Sequence, residues 1–302
     1  MLPPEIVLCP IDFSELSRRE LALAIEVCDA FDAHLVLHHN LAGVSPGFSR
    51  AWEWNEVHRS DQAADSKAEN LMREILADLP KHISAEASIS SGPLGIVLLQ
   101  LASQLPADLV VLGSHGWSTE DHASVTERII DRCPCPVLTV HEGDSASKYF
   151  RMRPAPGAEP IPVLVPTDLS AASRPAVDYA LELARTNPLH LHLLHVAKHT
   201  ATIGELDAAE RRLKDLVPLD LTDTAAYHVQ PGDPLETILK VAYRLEPAFM
   251  VMGEHARGFV RRFFTKDTAR EALHRAPCPV WFVPARSWRA SRQIPAVAVG
   301  ES

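Results

Sequence analysis

The chain alternates short, continuously apolar runs with longer stretches in which apolar residues return every three or four positions. Runs such as Ile6-Val7-Leu8-Cys9, Leu35-Val36-Leu37 and Leu109-Val110-Val111-Leu112 have the pattern of strands covered on both faces, as in a parallel sheet. The stretches between them read as helices. Leu16 to Phe31 and Ala172 to Thr186 each follow an opening strand, and Asp61 to Leu79 sets Ala64, Ala68, Leu71, Ile75 and Leu79 at helical spacing. Regular alternation of strand and helix predicts right-handed crossovers and a doubly wound parallel sheet. Sheets of that kind bind ligands beyond the carboxyl ends of their strands, where the strand order reverses.

The pattern occurs twice. Pro10, Asp12 and Ser14 close the first strand, and Pro166, Asp168 and Ser170 stand 156 residues further on in the same relation. Gly92 and Gly113 are answered by Gly232 and Gly253, now 140 residues away, so the first copy carries 16 extra residues after its second strand. Phe48, Trp52 and Trp54 lie in that insertion, where aromatics can anchor a partner, act as a lid or pack on their own core. The last strands, from Cys135 and Cys278, are 143 residues apart, so the second copy regains three residues after its glycine. Pro154, Pro156, Pro160 and Pro162 mark a connector, since proline neither continues a helix nor donates to a sheet ladder. The expected organisation is a first domain over residues 1–142, a linker over 143–160, a second domain over 161–285 and a tail over 286–302.

Charge and composition narrow the function classes. The 302 residues carry 39 acidic and 29 basic side chains, a net charge of −10, which disfavours phosphate-backbone and anionic-membrane partners. No apolar run approaches the roughly 18 residues of a membrane span, and Met1 to Glu5 lacks the basic region and apolar core of a secretory leader. Five cysteines are too few and odd in number for a disulfide framework. A cytoplasmic location is expected.

In each copy the opening strand ends Pro-x-Asp-x-Ser. The first copy continues to Asp108-Leu109-Val110-Val111-Leu112-Gly113-Ser114-His115-Gly116, and the second closes with Ala276-Pro277-Cys278-Pro279-Val280. On these residues each copy resembles a universal stress protein domain, and the whole is similar to the tandem members of that family. The resemblance implies two Rossmann-like, five-stranded α/β domains of the adenine nucleotide alpha-hydrolase type. They would form an internal pseudo-dimer in which Pro136–Val140 pairs with Pro279–Val283, a pairing that would also cover two sheet edges. Whether two chains associate further is open, as is the identity of any protein partner.

Nucleotide-binding members carry a loop reading Gly-x-x-Gly, nine residues, then Gly-Ser or Gly-Thr. Glycines there let backbone N–H groups close on phosphates at a helix start. The resemblance therefore implies an adenine-nucleotide site, with magnesium if the ligand is ATP, built from Pro10, Ile11, Asp12, Leu112, Gly113, His115, Gly116, Ser124, Val125 and Thr126. Asp12 would accept hydrogen bonds from ribose hydroxyls. Both copies depart from the pattern. The first closes its loop early, at Ala123-Ser124, and carries Glu120 and Asp121 within it. The second reads Gly253-Glu254-His255-Ala256 and reaches Lys266-Asp267 instead of Gly-Ser, leaving Asp168, Met252 and Gly253 as a degenerate site.

Blander readings stand beside these. Ser14 and Ser170 are the stronger helix-capping residues, which frees Asp12 and Asp168 for a ligand. Cys133-Pro134-Cys135 lacks further ligands at metal spacing, so these cysteines, with Cys9, Cys28 and Cys278, read as small core residues and no metal is expected. His38, His39, His190, His192 and His195 crowd the second strands and read as hydrogen-bonded strand-end histidines. No nucleophile elbow, zinc-protease motif or Walker loop occurs, and no residue stands out as a general base, so the chain reads as a non-enzymatic, ligand- or partner-dependent signalling protein. Two rivals remain: an interaction scaffold without nucleotide that uses Trp52 and Trp54, and a weak ATPase.

Overall fold

A computed structural model describes residues 4–41, 62–113, 122–140, 152, 157–253 and 275–285. The first copy comprises strands β1 (Ile6–Pro10), β2 (His34–Leu41), β3 (Ala85–Ser91), β4 (Leu109–Gly113) and β5 (Val137–Val140). They are connected through helices α1 (Glu15–Phe31), α2 (Gln62–Asp78), α3 (Leu94–Gln104) and α4 (His122–Arg132). The second comprises β6 (Ile161–Pro166), β7 (Leu189–Ala197), β8 (Ala225–Pro231), β9 (Phe249–Gly253) and β10 (Val280–Val283). Its helices are α5 (Arg174–Thr186), α6 (Ile203–Lys214) and α7 (Pro234–Leu245), with a 3-10 turn over Leu219–Thr224. The insertion with Phe48, Trp52 and Trp54, most of the linker and the tail lie outside the described residues.

All ten strands form one sheet in the order β3-β2-β1-β4-β5-β10-β9-β6-β7-β8. Within each half every ladder is parallel, and the strand order reverses at β1 and again at β6. The halves meet in an antiparallel ladder between β5 and β10, with Thr139 opposite Val280, Leu138 opposite Trp281 and Val137 opposite Phe282. This is the terminal-strand pairing that the family resemblance implies. The Thr139 hydroxyl adds a bond to the Val280 carbonyl at 3.2 Å.

Side-chain alternation along the strands divides the core into two layers. Val7, Cys9, Leu35, Leu37, Leu109 and Val111 face α1 and α2, and continue through Leu138, Trp281 and Phe249 to Val163, Leu191 and the buried face of α5. On the opposite face the core is two clusters. One gathers Leu8, Val110 and Leu112 under Leu98, Ala102 and Ile129, the other Leu164, Leu194 and Met250 under Ile238, Val241 and Ala242. Trp281 lies where the shared layer crosses the seam, fully buried, 5.5 Å from the Tyr179 ring and 5.6 Å from Phe249.

Helix ends follow local chemistry. Ser14 caps α1 by accepting from the Ser17 N–H at 3.2 Å. Thr202 and Glu205 make a reciprocal capping box at α6, and Asp233 caps α7. Ser170 corrects the expectation. Its hydroxyl does accept from the Ser173 N–H at 3.3 Å, but residues 171–173 form a turn and α5 begins only at Arg174, with Ser173 at its cap position. Pro175 in the first turn, whose ring fixes φ, suits that delayed start. Among the described residues no helix is long and apolar enough to cross a membrane.

Truncating the residue that carries the core across the seam should weaken both halves. Trp281→Ala is expected to cost about 3–5 kcal/mol, read as a lower urea midpoint with a single transition retained. An unchanged midpoint would show that the shared layer contributes little.

Candidate functional site

Because β1 lies between β2 and β4, the carboxyl ends of β1 and β4 open side by side where their following connections diverge. Asp12 follows the first of these ends and Gly113 closes the second. The chain leaves β1 through a strained turn, with Phe13 at φ 64°, in the left-handed region that costs most residues energy. Asp12 holds this turn, its Oδ1 accepting from the Ser14 N–H at 2.9 Å. The aspartate is therefore not free of the backbone, as the assignment of capping to Ser14 implied. Its carboxylate braces the turn that presents it.

The second copy repeats the device. Leu169 has φ 60°, and Asp168 Oδ1 accepts from the Ser170 N–H at 2.9 Å. A histidine stands behind each turn. His39 donates from Nδ1 to the Ile11 carbonyl at 2.7 Å, and His195 donates to the Thr167 carbonyl at 3.0 Å. A carbonyl only accepts, so Nδ1 of each ring carries a hydrogen. In the second copy Arg212 from α6 also donates to the Leu169 carbonyl at 2.9 Å.

The copies differ most beneath the glycines. A Cβ built on Gly113 would overlap the Glu20 carboxylate and come within 2.7 Å of Leu16 Cδ2, so α1 crosses the end of β4 as closely as a glycine allows. At Gly253 the same construction meets only Ala172 and Ser173 backbone at 3.4 Å and Ala176 Cβ at 3.8 Å. Ala176 occupies the position of Glu20 in the repeat. Glu20 is only 2% exposed. Burial and the neighbouring Asp12 charge push its carboxyl up to about 8, against a hydrogen bond from the Gly113 backbone that favours the ionised form.

A second buried polar group distinguishes the first copy. His38 is hydrogen-bonded through Nδ1 to Ser88 at 2.9 Å and through Nε2 to Ser90 at 3.2 Å, and desolvation lowers it to about 4. Asn40, two residues on, donates to the Gly92 carbonyl at 3.0 Å, while its Oδ1 is buried with no hydrogen-bond partner. Leu194 and Val196 take these two places in the second copy. There His192 and His228 share a 3.0 Å contact on the sheet face, and His192 is likewise lowered to about 4, chiefly by burial.

The other residues expected at the site fall into three groups. Ile11, Leu112 and Met252 are buried and pack in the core layers, and Pro10 is buried with them, so only their backbones are available to a ligand. Thr126 directs its hydroxyl to the Gly113 carbonyl at 3.1 Å, tying α4 to the strand end, and Val125 lies toward Gly95 of α3. His115, Gly116 and the side chain of Ser124 lie outside the described residues, as do Glu254 to Asp267. Glu20 was missed by sequence reasoning. Laying the two helices over each other by the repeat exposes it, as a carboxylate in one copy where the other has alanine. All five cysteines are buried and none is in a disulfide, with Cys133 and Cys135 Sγ atoms 3.5 Å apart. Among the described residues no cluster of three His, Cys, Asp or Glu side chains could hold a metal ion.

The model of the universal stress protein family matches the chain twice, over residues 4–141 and 162–284. Among solved structures, a universal stress protein from Archaeoglobus fulgidus superposes with a TM-score of 0.64 at 19% identity, covering 94% of this chain and 97% of that one. A functionally unknown protein from Pseudomonas aeruginosa gives 0.59 at 15% identity, covering 93% and 92%. The cytoplasmic domain of a prokaryotic cation chloride cotransporter gives 0.55 at 13% identity, covering 93% and 95%. At these identities the likeness is one of fold, and proteins of different roles share it. No curated protein matches the chain by sequence.

Two expectations follow from the buried groups. Gly113→Ala should cost about 1–3 kcal/mol through overpacking, whereas Gly253→Ala should stay within about 1 kcal/mol; equal effects in thermal melts would contradict the close approach at Gly113. Stability should also fall on both sides of neutrality. His38 and His192 stay neutral in the fold to about pH 4, while the unfolded rings protonate near 6.5, so their contribution is complete above 6.5 and lost as pH falls toward 4. Glu20 works the other way, because the fold keeps its proton to about pH 8 while the unfolded carboxyl releases it near 4.5. Its contribution is complete below 4.5 and lost as pH rises to 8, so Glu20→Gln should flatten the alkaline limb of the melting profile. An alkaline limb identical in the variant would place the Glu20 ionisation in its ordinary range.

Proposed function

This chain belongs to the universal stress protein family, and we propose that it acts without catalysis as a stress-adaptation protein whose first copy binds one adenine nucleotide, with magnesium when the ligand is ATP. The observation that carries this reading is the meeting, at the strand-order reversal, of a strained turn braced by Asp12 with a strand end, Gly113, where no side chain fits. Asp12 would take the ribose hydroxyls. Gly113 and Gly116, with His115 and the start of α4 around Ser124, would take the phosphates. Thr126 contributes by holding Gly113 to α4 and not through a free hydroxyl.

The second copy keeps the aspartate turn but is read as degenerate. Its loop sequence has Ala256 for the second glycine and carries the acidic Glu254 and Asp267, whose charge would repel a phosphate. Its strand-end cation, Arg212, is engaged by the Leu169 carbonyl. Ligand occupancy of the first copy would then be passed to a protein partner, in a cytoplasm whose reducing conditions suit five buried cysteines outside any disulfide.

Calorimetric titration with magnesium and ATP tests this directly. One site per chain is expected. Asp12→Ala should weaken binding by about tenfold or more, the scale of one or two lost hydrogen bonds, with Asp12→Asn separating charge from turn support. Ala123→Gly should tighten binding, and Asp168→Ala should leave it unchanged. A wild-type chain that takes up no nucleotide at millimolar concentration, or an Asp12→Ala chain that binds as well as wild type, would overturn the reading and leave the interaction scaffold ahead.

A further inference from the structure

We propose that the buried carboxyl of Glu20 makes the first site a proton-dependent anion receptor, accepting a phosphate-bearing ligand while Glu20 holds its proton and rejecting it once Glu20 is ionised. The inference rests on the nucleotide reading of that site and adds its regulation. It starts from a position the fold does not require to be acidic. The second copy sets a helix against the corresponding strand end with Ala176 in this place, and Ala176 meets Gly253 at ordinary contact distance. Burying a carboxyl where alanine suffices costs free energy unless something compensates. The compensation visible here is one hydrogen bond from the Gly113 backbone.

The surroundings decide the sign. Helix α1 packs on β1, β2, β4 and β5. From β1 and its end come Cys9, whose thiol is itself pushed up by burial and by Glu20, and Asp12. From β2 the nearest titratable side chain to the turn, His39, is committed to the Ile11 carbonyl. The spans Leu109–Gly113 of β4 and Val137–Val140 of β5 contain no titratable side chain. The strongest charge acting on Glu20 is thus another carboxylate, and an ionised Glu20 would add a second negative charge beside Asp12 and against Gly113. In a poorly solvated setting their repulsion of a phosphate is scarcely screened.

Burial and Asp12 put the Glu20 ionisation near 8, within reach of ordinary intracellular variation. Linkage then requires reciprocity: if the proton favours the anion, the anion must favour the proton. Binding therefore takes up a fraction of a proton per ligand near pH 8.

The test is calorimetric titration of the full chain with magnesium and ATP from pH 6.5 to 9.5, each point in two buffers of different ionisation enthalpy. Wild-type affinity should fall by roughly tenfold per pH unit above 8, the slope for one proton, with proton uptake rising through about half a proton per ligand near pH 8 toward one above it. Glu20→Gln should show a flat profile and no rise in proton uptake, and Glu20→Ala, which installs the side chain found at position 176, serves if the amide fails to fold. Binding with the same pH slope in wild type and variant overturns this proposal alone and leaves the nucleotide site standing. Absence of binding at every pH in both overturns the nucleotide reading and this proposal with it.

Discussion

The reversal of strand order at β1 is what gathers the chemistry of the first copy. With β2 on one side and β4 on the other, the helices that follow β1 and β4 pack on opposite faces of the sheet. Asp12 and Gly113, about a hundred residues apart in sequence, become neighbours for this reason alone. The same geometry presses α1 against the end of β4, so that a residue in the second turn of α1, Glu20, lies under the glycine. Placement of a carboxylate, a bare backbone and a buried acid at one point is thus a property of topology, and side-chain chemistry is added to it.

Comparison of the two copies separates scaffold from specialisation. The left-handed residue after the aspartate, the bond from that carboxylate to the backbone two residues on, and the histidine behind the turn recur at 12, 13 and 39 and at 168, 169 and 195. Strain retained twice belongs to the scaffold, since both halves must leave the sheet at the same angle. Glu20, His38 and Asn40 stand against Ala176, Leu194 and Val196, and these are costly polar burials on one side only. They concentrate around the carboxyl ends of β1, β2 and β4. A core assembled for stability alone would have kept the apolar set.

The fold was readable because its signals are local or repetitive. Apolar runs marked the strands, Ser14 marked a cap, and the recurrence of Pro-x-Asp-x-Ser fixed the duplication. Ser170 misled because its hydrogen bond is a turn's as readily as a helix's, and only the backbone over 171–173 distinguishes the two. The site was readable in part. Asp12 and Gly113 announce themselves by type and position, but the commitment of Thr126 to the Gly113 carbonyl depends on how α4 sits, which no spacing reveals. Glu20 was illegible on its own, since a glutamate in an amphipathic helix ordinarily faces water. Its burial is caused by a strand end arriving from much later in the chain.

The Trp281–Leu138 pair at the seam has an evolutionary consequence. In a dimer of identical subunits a two-fold interface must be complementary to itself, and any enlarged side chain appears on both sides at once. Joining the two halves in one polypeptide lifts that rule. An indole can grow on one strand while its counterpart stays small, and Tyr179 and Phe249 can close around it without duplication. Once the seam is made of unlike halves, each half depends on the other's particular shape, and neither can return to pairing with its own kind. The interface thereby protects the division of labour it permits: one half is free to gather buried acids and amides, while the other keeps the plainer interior that holds the sheet together.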